Sequence, residues 1–89
     1  MSSLHNWTLK IDHGILKTLK KIPRHDADRL LDVIQLLPAD PFFGDIQKMK
    51  GYDGVYRRRV GSYRIFYRIS IGEKIILVFH LERRTSATY

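Results

Sequence analysis

The stretch with the clearest chemical potential is VYRRRVGSYRIFYRI, residues 55–69, in which five arginines are interleaved with aromatic and aliphatic residues. The planar guanidinium group of arginine binds phosphate oxygens in pairs, and aromatic side chains stack on bases that are exposed in a single strand. Because like charges that face each other destabilise a sheet, we expect a polyanion outside the chain to compensate them. The pattern therefore predicts a surface that binds nucleic acid, with RNA favoured over duplex DNA.

The net charge of +7 lies entirely in the second half of the chain. Residues 1–45 hold six basic and six acidic residues, whereas residues 46–89 hold ten basic residues and three acidic ones. This asymmetry is typical of proteins that bind polyanions, with nucleic acid favoured over an anionic membrane surface. A basic surface that serves only solubility is the alternative that composition leaves open.

The composition disfavours metal, disulfide and membrane-spanning chemistry. There is no cysteine, and the histidines His5, His13, His25 and His80 lack the spacing of metal ligands. The first residues lack the apolar core of a signal peptide, and no apolar run approaches the roughly 20 residues that a membrane span needs. We therefore expect a soluble, cytoplasmic protein without cofactor or metal, with residues 1–89 forming a single domain.

The elements that position the arginines follow from periodicity. Residues 6–11 alternate as a short strand, and Asp12 can cap a helix that ends at Pro23. A second helix is predicted from near Asp26 to Pro38. From residue 46 the period changes to two, in the segments IQKMKG, VYRRRV, YRIFYRIS and IILVFHLERR. The predicted fold is α+β: an N-terminal strand, two helices, then an antiparallel sheet of about four strands with the helices on one face.

Turn residues predict the register of the arginine-rich hairpin. Gly61-Ser62 fits a two-residue type II′ turn, which places Arg59 opposite Arg64. Alternation then assigns to the helix side Tyr56, Val60, Tyr63, Ile65, Tyr67 and Ile69, with Arg58 as an exception. The same alternation assigns to the open side Arg57, Arg59, Arg64, Phe66 and Arg68.

A second predicted turn, Gly72-Glu73, sets the register of the last strand. It pairs Phe66 with Phe79, Arg68 with Leu77 and Arg64 with Leu81. Continued alternation places Arg83 on the open side with the other arginines, and places His80 in the core. Arginines from three strands are therefore expected to converge without a histidine among them.

Ion pairing within the chain is the weaker alternative for these arginines. The basic half contains only the carboxylates Asp53, Glu73 and Glu82, and Glu82 is expected on the opposite face. Tyr89 is the nearest candidate base, since adjacent arginine cations favour the phenolate form that this role requires.

Over nearly its whole length the sequence resembles the RelE/ParE toxin superfamily, and within it the RelE-type toxins that cleave mRNA. The resemblance rests on KMKG at residues 48–51, YRRRVGSYRIFY at residues 56–67 and the closing ERRTSATY at residues 82–89. It implies a RelE-like fold and the toxin of a type II toxin–antitoxin module. It also implies a ribosome-dependent, metal-independent endoribonuclease that acts in the A site of the small subunit by 2′-hydroxyl attack. The implied partners are mRNA, the ribosome and a cognate antitoxin that forms a hetero-oligomer with the toxin.

The resemblance also assigns residue roles. Arg57, Arg59 and Arg64 would hold the scissile phosphate, Arg83 would stabilise the leaving oxygen, and Tyr89 would accept the 2′-hydroxyl proton. Further contacts with RNA are expected from Lys48, Lys50, Phe66, Arg68 and Arg84. Because arginine stays protonated, Arg57 and Arg59 cannot act as the proton acceptors that lysines in some relatives might be. The group that protonates the leaving oxygen is left open.

Two other functions stay open. In the ParE-type branch the same fold poisons DNA gyrase without cutting RNA, and the pairing of Arg83 with Tyr89 disfavours that reading. The other alternative is a noncatalytic module that binds RNA or the ribosome through its arginines.

Overall fold

The computed structural model describes residues 7–84, which form one five-stranded sheet with two helices. In chain order the elements are β1 (Thr8–Ile11), α1 (His13–Leu19), α2 (Arg24–Leu36), β2 (Ile46–Lys48), β3 (Val55–Val60), β4 (Tyr63–Ser70) and β5 (Ile75–Arg83). The strand order is β1-β5-β4-β3-β2, in which only β1 and β5 are parallel. The α+β prediction is confirmed, and the N-terminal strand joins the predicted four as a fifth.

Local capping signals determine where the helices begin. The Asp12 carboxylate accepts a hydrogen bond from the Gly14 amide at 3.2 Å, as expected of an N-cap. Helix α1 is shorter than predicted and leaves Ile22 outside, because the residue before Pro23 is disfavoured in the helical region. Helix α2 begins directly after Pro23. Neither of these helices is long and apolar enough to span a bilayer.

Both helices pack on one face of the sheet through their apolar stripes. The fully buried centre of this core consists of Leu30, Ile34, Leu37, Ile65, Tyr67, Ile76 and Val78. The Tyr67 hydroxyl donates a hydrogen bond to the Pro41 carbonyl at 2.7 Å, which satisfies its buried polar atom. This bond attaches the loop after α2 to the underside of the sheet.

The hairpin of β3 and β4 has the predicted register. Gly61 has a φ of +57°, which glycine adopts without strain. Arg59 lies opposite Arg64, and Arg57 lies opposite Phe66. The turn residues and the alternation on both strands therefore suffice to specify this pairing.

The hairpin of β4 and β5 has an irregularity that alternation does not predict. Tyr67 pairs with Val78 as expected, but Phe66, the residue before Tyr67, pairs with His80 and not with Phe79. Phe79 is thus the extra residue of a β-bulge, and the predicted pairing of Phe66 with Phe79 is wrong. Beyond the bulge, each β5 residue lies on the face opposite to the predicted one.

The bulge reverses the predictions about the β5 residues that follow it. Arg64 lies opposite Glu82, whereas the predicted partner, Leu81, is buried in the core. Glu82 is therefore on the arginine side of the sheet. His80, predicted in the core, is exposed on that same side.

Candidate nucleic-acid interface

The open side of the sheet carries the predicted row of cations, which we call the arginine face: Arg57, Arg59, Arg64 and Arg68, with Phe66 among them. Arg57 and Arg59 project from β3, while Arg64 and Arg68 project from β4, since their neighbours in each strand point into the core. The exposed side chains of Arg59 and Arg68 and the partly exposed ones of Arg57 and Arg64 are accessible to a ligand. This part of the site is as predicted.

Two of these arginines have carboxylate partners within the chain. Arg59 Nε lies 3.3 Å from the Asp45 carboxylate, and Arg64 Nη1 lies 3.3 Å from the Glu82 carboxylate. The expectation that ion pairing is the weaker alternative is wrong for both. Asp45 comes from the neutral half of the sequence, and Glu82 reaches this face because of the bulge. Both pairs are solvated, so each contributes on the order of 0 to 1 kcal/mol and leaves the arginines available to a phosphate.

A small polar pocket lies at the β2 side of the arginine face. Arg57 donates a hydrogen bond to the side-chain carbonyl of Gln47. These two residues, with Asp45 and Arg59, line a pocket of about 260 Å³. Arg57 and Arg59 place two guanidinium groups at this pocket. An oxyanion that displaces the Asp45 carboxylate can contact both of them.

The arginine face also carries the imidazole of His80, which the bulge places there, and the exposed aromatic ring of Phe79. Phe79 is 39% exposed. The His80 ring lies 5.2 Å from the Phe66 ring, and its Nε2 lies 3.2 Å from the Glu82 carboxylate. The prediction that no histidine joins the arginines is therefore wrong. The sequence gives no signal for this placement, because β5 is apolar on both sides and its alternation does not reveal a bulge.

One residue assigned from the end of the chain, Arg83, is not part of this cluster. Arg83 lies opposite Tyr63, which points into the core, and its guanidinium carbon is 5.9 Å from the Tyr63 ring centre. The predicted convergence of Arg83 with Arg59 and Arg64 is therefore wrong. Arg84, whose amide donates to a turn carbonyl, is exposed at the end of β5. Tyr89 lies outside the described residues.

Three further basic residues, Lys48, Lys50 and Arg58, lie around the β2 edge. Lys48 is exposed and pairs with Tyr56, so it occupies the helix side of the sheet, and Lys50 is exposed in the following turn. Arg58, the predicted exception, also lies on the helix side, with its guanidinium 4.0 Å from the centre of the Phe43 ring. Burial lowers the pKa of Arg58 from its ordinary value.

Among residues 7–84, no group of three histidine, aspartate or glutamate side chains is arranged to hold a metal ion. The charged and titratable groups that the described part of the site presents are guanidinium cations, one imidazole and two carboxylates. Guanidinium groups fixed on a rigid sheet can stabilise the charge that develops on a phosphoryl group during transfer.

Similarity to known proteins identifies the family of this chain. The family model of the ParE toxin of the type II toxin-antitoxin system, parDE, matches residues 9–87. Two proteins of Methanocaldococcus jannaschii are similar. The "Putative toxin RelE1" is 31% identical over 84 residues, with 91% of this chain and 93% of the relative covered. "Toxin RelE3" is 35% identical over 78 residues, with 83% and 88% covered.

A solved structure gives the same result. The crystal structure of the archaeal RelE-RelB complex from Pyrococcus horikoshii OT3 contains a chain with a TM-score of 0.78 and 28% identity. The alignment covers 91% of this chain and 98% of that chain. The present chain therefore belongs to the RelE/ParE superfamily and is a toxin of a type II toxin–antitoxin system.

Proposed function

We propose that the protein is a ribosome-dependent endoribonuclease that cleaves mRNA in the A site of the small subunit. The observation that carries this proposal is the arginine face, on which Arg57, Arg59 and Arg64 present guanidinium groups from two adjacent strands. A ribose 2′-hydroxyl attacks the adjacent phosphorus, the bond from phosphorus to the 5′-oxygen breaks, and the products carry a cyclic phosphate and a 5′-hydroxyl. The three arginines stabilise the negative charge that builds on the phosphoryl oxygens.

The proton transfers require groups other than these arginines, which stay protonated. Tyr89 is retained as the proposed acceptor of the 2′-hydroxyl proton. The position of Arg83 on the other side of the sheet does not support its assigned role at the leaving oxygen.

The proposed protein partner is a cognate antitoxin. The Pyrococcus horikoshii relative was crystallised as a RelE-RelB complex, and we propose that this chain likewise forms a hetero-oligomer with an antitoxin. The arginine face favours an acidic segment in that partner, while exposed apolar residues such as Leu16 and Leu36 on the helices favour an apolar one.

Two observations favour a second function. The family model that matches the chain describes a ParE toxin, and Arg83 does not lie on the arginine face. Both points weaken the argument against a gyrase-poisoning toxin, in which the arginine face would contact the enzyme or its DNA.

Mapping of mRNA ends tests the two functions. Purified toxin is incubated with ribosomes programmed with a short mRNA, and 5′ ends are located by primer extension; a parallel assay measures supercoiling and DNA cleavage by gyrase. Arg59→Gln and Arg64→Gln remove one charge each, and Lys17→Gln, exposed on α1, is the matched control. We expect the unmodified toxin to cut mRNA within the reading frame, and only when ribosomes are present. Both arginine variants should lose these cuts, and the Lys17→Gln control should keep them. Inhibition of gyrase without RNA cuts would establish the alternative, and binding to ribosomes without cuts would leave a noncatalytic module.

A further inference from the structure

The bulge in β5 creates a groove beside the arginine face, which we call the aromatic groove. Its volume is about 430 Å³, within the range of roughly 300–1,000 Å³ that is typical of sites for small organic ligands. Its lining residues are Met49, Tyr52, Val55, Phe66, Arg68, Phe79, His80 and Glu82. None of these residues belongs to the core under the helices, so the groove is a separate apolar feature of the open side of the sheet.

The walls of the aromatic groove are ring systems that are open to solvent. Tyr52 is 61% exposed and Phe79 is 39% exposed. The rings of Phe66 and His80 form a tilted pair at 5.2 Å, and Val55, 4% exposed, is buried beside them. A bulge re-aims side chains, and this one brings His80 and Glu82 to the open side beside Phe79, where regular pairing would turn both towards the core. Exposed flat rings of this kind are the surfaces on which unpaired bases stack.

The polar residues of the groove lie beside those rings. Arg68 provides a cation at the groove, and Glu82 provides a carboxylate whose two oxygens contact Arg64 at 3.3 Å and His80 at 3.2 Å. An ionised carboxylate only accepts hydrogen bonds and has about four acceptor positions, so Glu82 retains capacity for a ligand N–H group. Arg64 and Phe66 are successive residues on the same side of β4, about 7 Å apart along the strand, so a phosphate on one lies beside a ring on the other.

We infer that the aromatic groove binds one unpaired base of RNA next to the phosphate that the arginines hold. This inference rests on the proposed function. The Glu82 carboxylate accepts from exocyclic amino groups, so adenine, guanine and cytosine, which carry one, are favoured over uracil, whose base offers only its ring N3–H as a donor. An apolar peptide segment is the other occupant that such walls fit, but the cations beside the groove and the acceptor at its wall favour a nucleotide.

Equilibrium binding of short RNAs tests the inference without ribosomes or cleavage. The probes are fluorescently labelled hexa-adenylate, hexa-uridylate and an abasic ribose-phosphate hexamer, at one fixed salt concentration. The variants are Phe79→Ala, Tyr52→Ala and Glu82→Gln, and Phe42→Ala is the control because Phe42 is an exposed ring outside the groove. Thermal melting of each variant confirms that it is folded.

Base-specific losses are expected. Phe79→Ala and Tyr52→Ala should each weaken hexa-adenylate binding about 5-fold to 150-fold, the range for loss of one stacking contact, while abasic binding and the Phe42→Ala control stay unchanged. Glu82→Gln should reduce the preference for hexa-adenylate over hexa-uridylate. Equal losses for the abasic probe, or none for hexa-adenylate, would overturn the inference. The inference would also be overturned if the groove variants bound RNA normally and lost only their binding to the antitoxin.

The two proposals fail separately. If the toxin shows base-dependent binding but cuts no mRNA on ribosomes, the inference about the aromatic groove stands and the endoribonuclease proposal fails. If Phe79→Ala cuts mRNA at the same sites with the same efficiency and binds hexa-adenylate as the unmodified toxin does, only the inference about the aromatic groove fails.

Discussion

Arg59 and Arg64 lie directly opposite each other across the hairpin of β3 and β4, yet each contacts a different carboxylate at 3.3 Å, Asp45 for the first and Glu82 for the second. The repulsion between the two guanidinium groups is thereby compensated inside the free protein. A bound phosphate does not have to create this compensation; it replaces one carboxylate by another anion. The arginine face is thus compensated in charge without a bound anion.

Substitution of either arginine should separate stability from activity. Arg59→Ala and Arg64→Ala each remove one exposed ion pair and one repulsive contact, so we expect the free energy of unfolding to change by no more than about 1 kcal/mol. Cleavage on programmed ribosomes should fall by about 100-fold or more, because each residue stabilises charge in the transition state. Thermal melting and primer extension measure the two effects. A loss of several degrees in both variants would show that the pairs have a structural role.

The salt dependence of RNA binding should report the number of phosphates bound. Three arginine contacts to single-stranded RNA predict a slope of about −2 in a plot of log association constant against log salt concentration, at about −0.7 per phosphate. Arg57→Gln should reduce the slope by about 0.7, whereas Lys17→Gln should leave it unchanged. Fluorescence anisotropy between 50 and 300 mM salt, roughly the usual working range, provides the measurement. A slope near zero in the unmodified protein contradicts binding by the arginine face.

Replacement of Tyr89 should affect chemistry more than binding. Tyr89→Phe loses one hydroxyl group, so ribosome binding should be retained while strand cleavage slows by about 100-fold, as expected for loss of a proton acceptor. Tyr56→Phe is a matched loss of a hydroxyl elsewhere and should cleave normally. Single-turnover cleavage with saturating toxin isolates the chemical step. Normal cleavage by Tyr89→Phe would exclude this residue as the base and leave stabilisation by arginines as the mechanism.

Alkaline pH should destabilise the fold through Tyr67. Burial raises the pKa of this phenol to about 12, above the ordinary value near 10. The unfolded chain therefore loses the proton at lower pH, so the stability from neutral Tyr67 is complete below pH 10 and is lost as pH rises towards about 12. Urea unfolding between pH 9 and about 12 should show this decline, and Tyr67→Phe should flatten it. At neutral pH the same substitution should cost about 1 kcal/mol, because the Pro41 carbonyl loses its donor. An equally steep decline in Tyr67→Phe would exclude this residue as the cause.

The sequence predicts those features that depend on neighbouring residues. Asp12 lies directly before its helix, and Gly61-Ser62 joins two strands that each alternate in polarity, so the cap and the register of the arginines were accessible to local rules. Alternation could not locate the bulge at Phe79, because a central strand is apolar on both sides. The faces of His80 and Arg83 depend on that bulge.

Long-range partners are the other feature that local rules do not predict. Asp45 contacts Arg59 because the loop after α2 passes beside β3, and that loop is attached through the bond from Tyr67 to Pro41. These contacts form only in the packed fold. Neither partner lies close to the other in the sequence, so no spacing pattern reports the pair.

The parallel pairing of β1 with β5 also determines the order in which the toxin can fold while it is being synthesised. Thr8 pairs with Ile75, so the first strand has no partner until nearly all of the described chain has left the ribosome. Contacts between such distant segments form slowly, because a long loop must close before they stabilise anything. Between the emergence of β5 and its pairing with β1, β5 has an unpaired edge on which another chain can add. The nascent toxin therefore passes through a stage in which its helices and arginine hairpin can form while its sheet is still incomplete. A partner protein that is present at that stage meets a different surface from that of the finished fold.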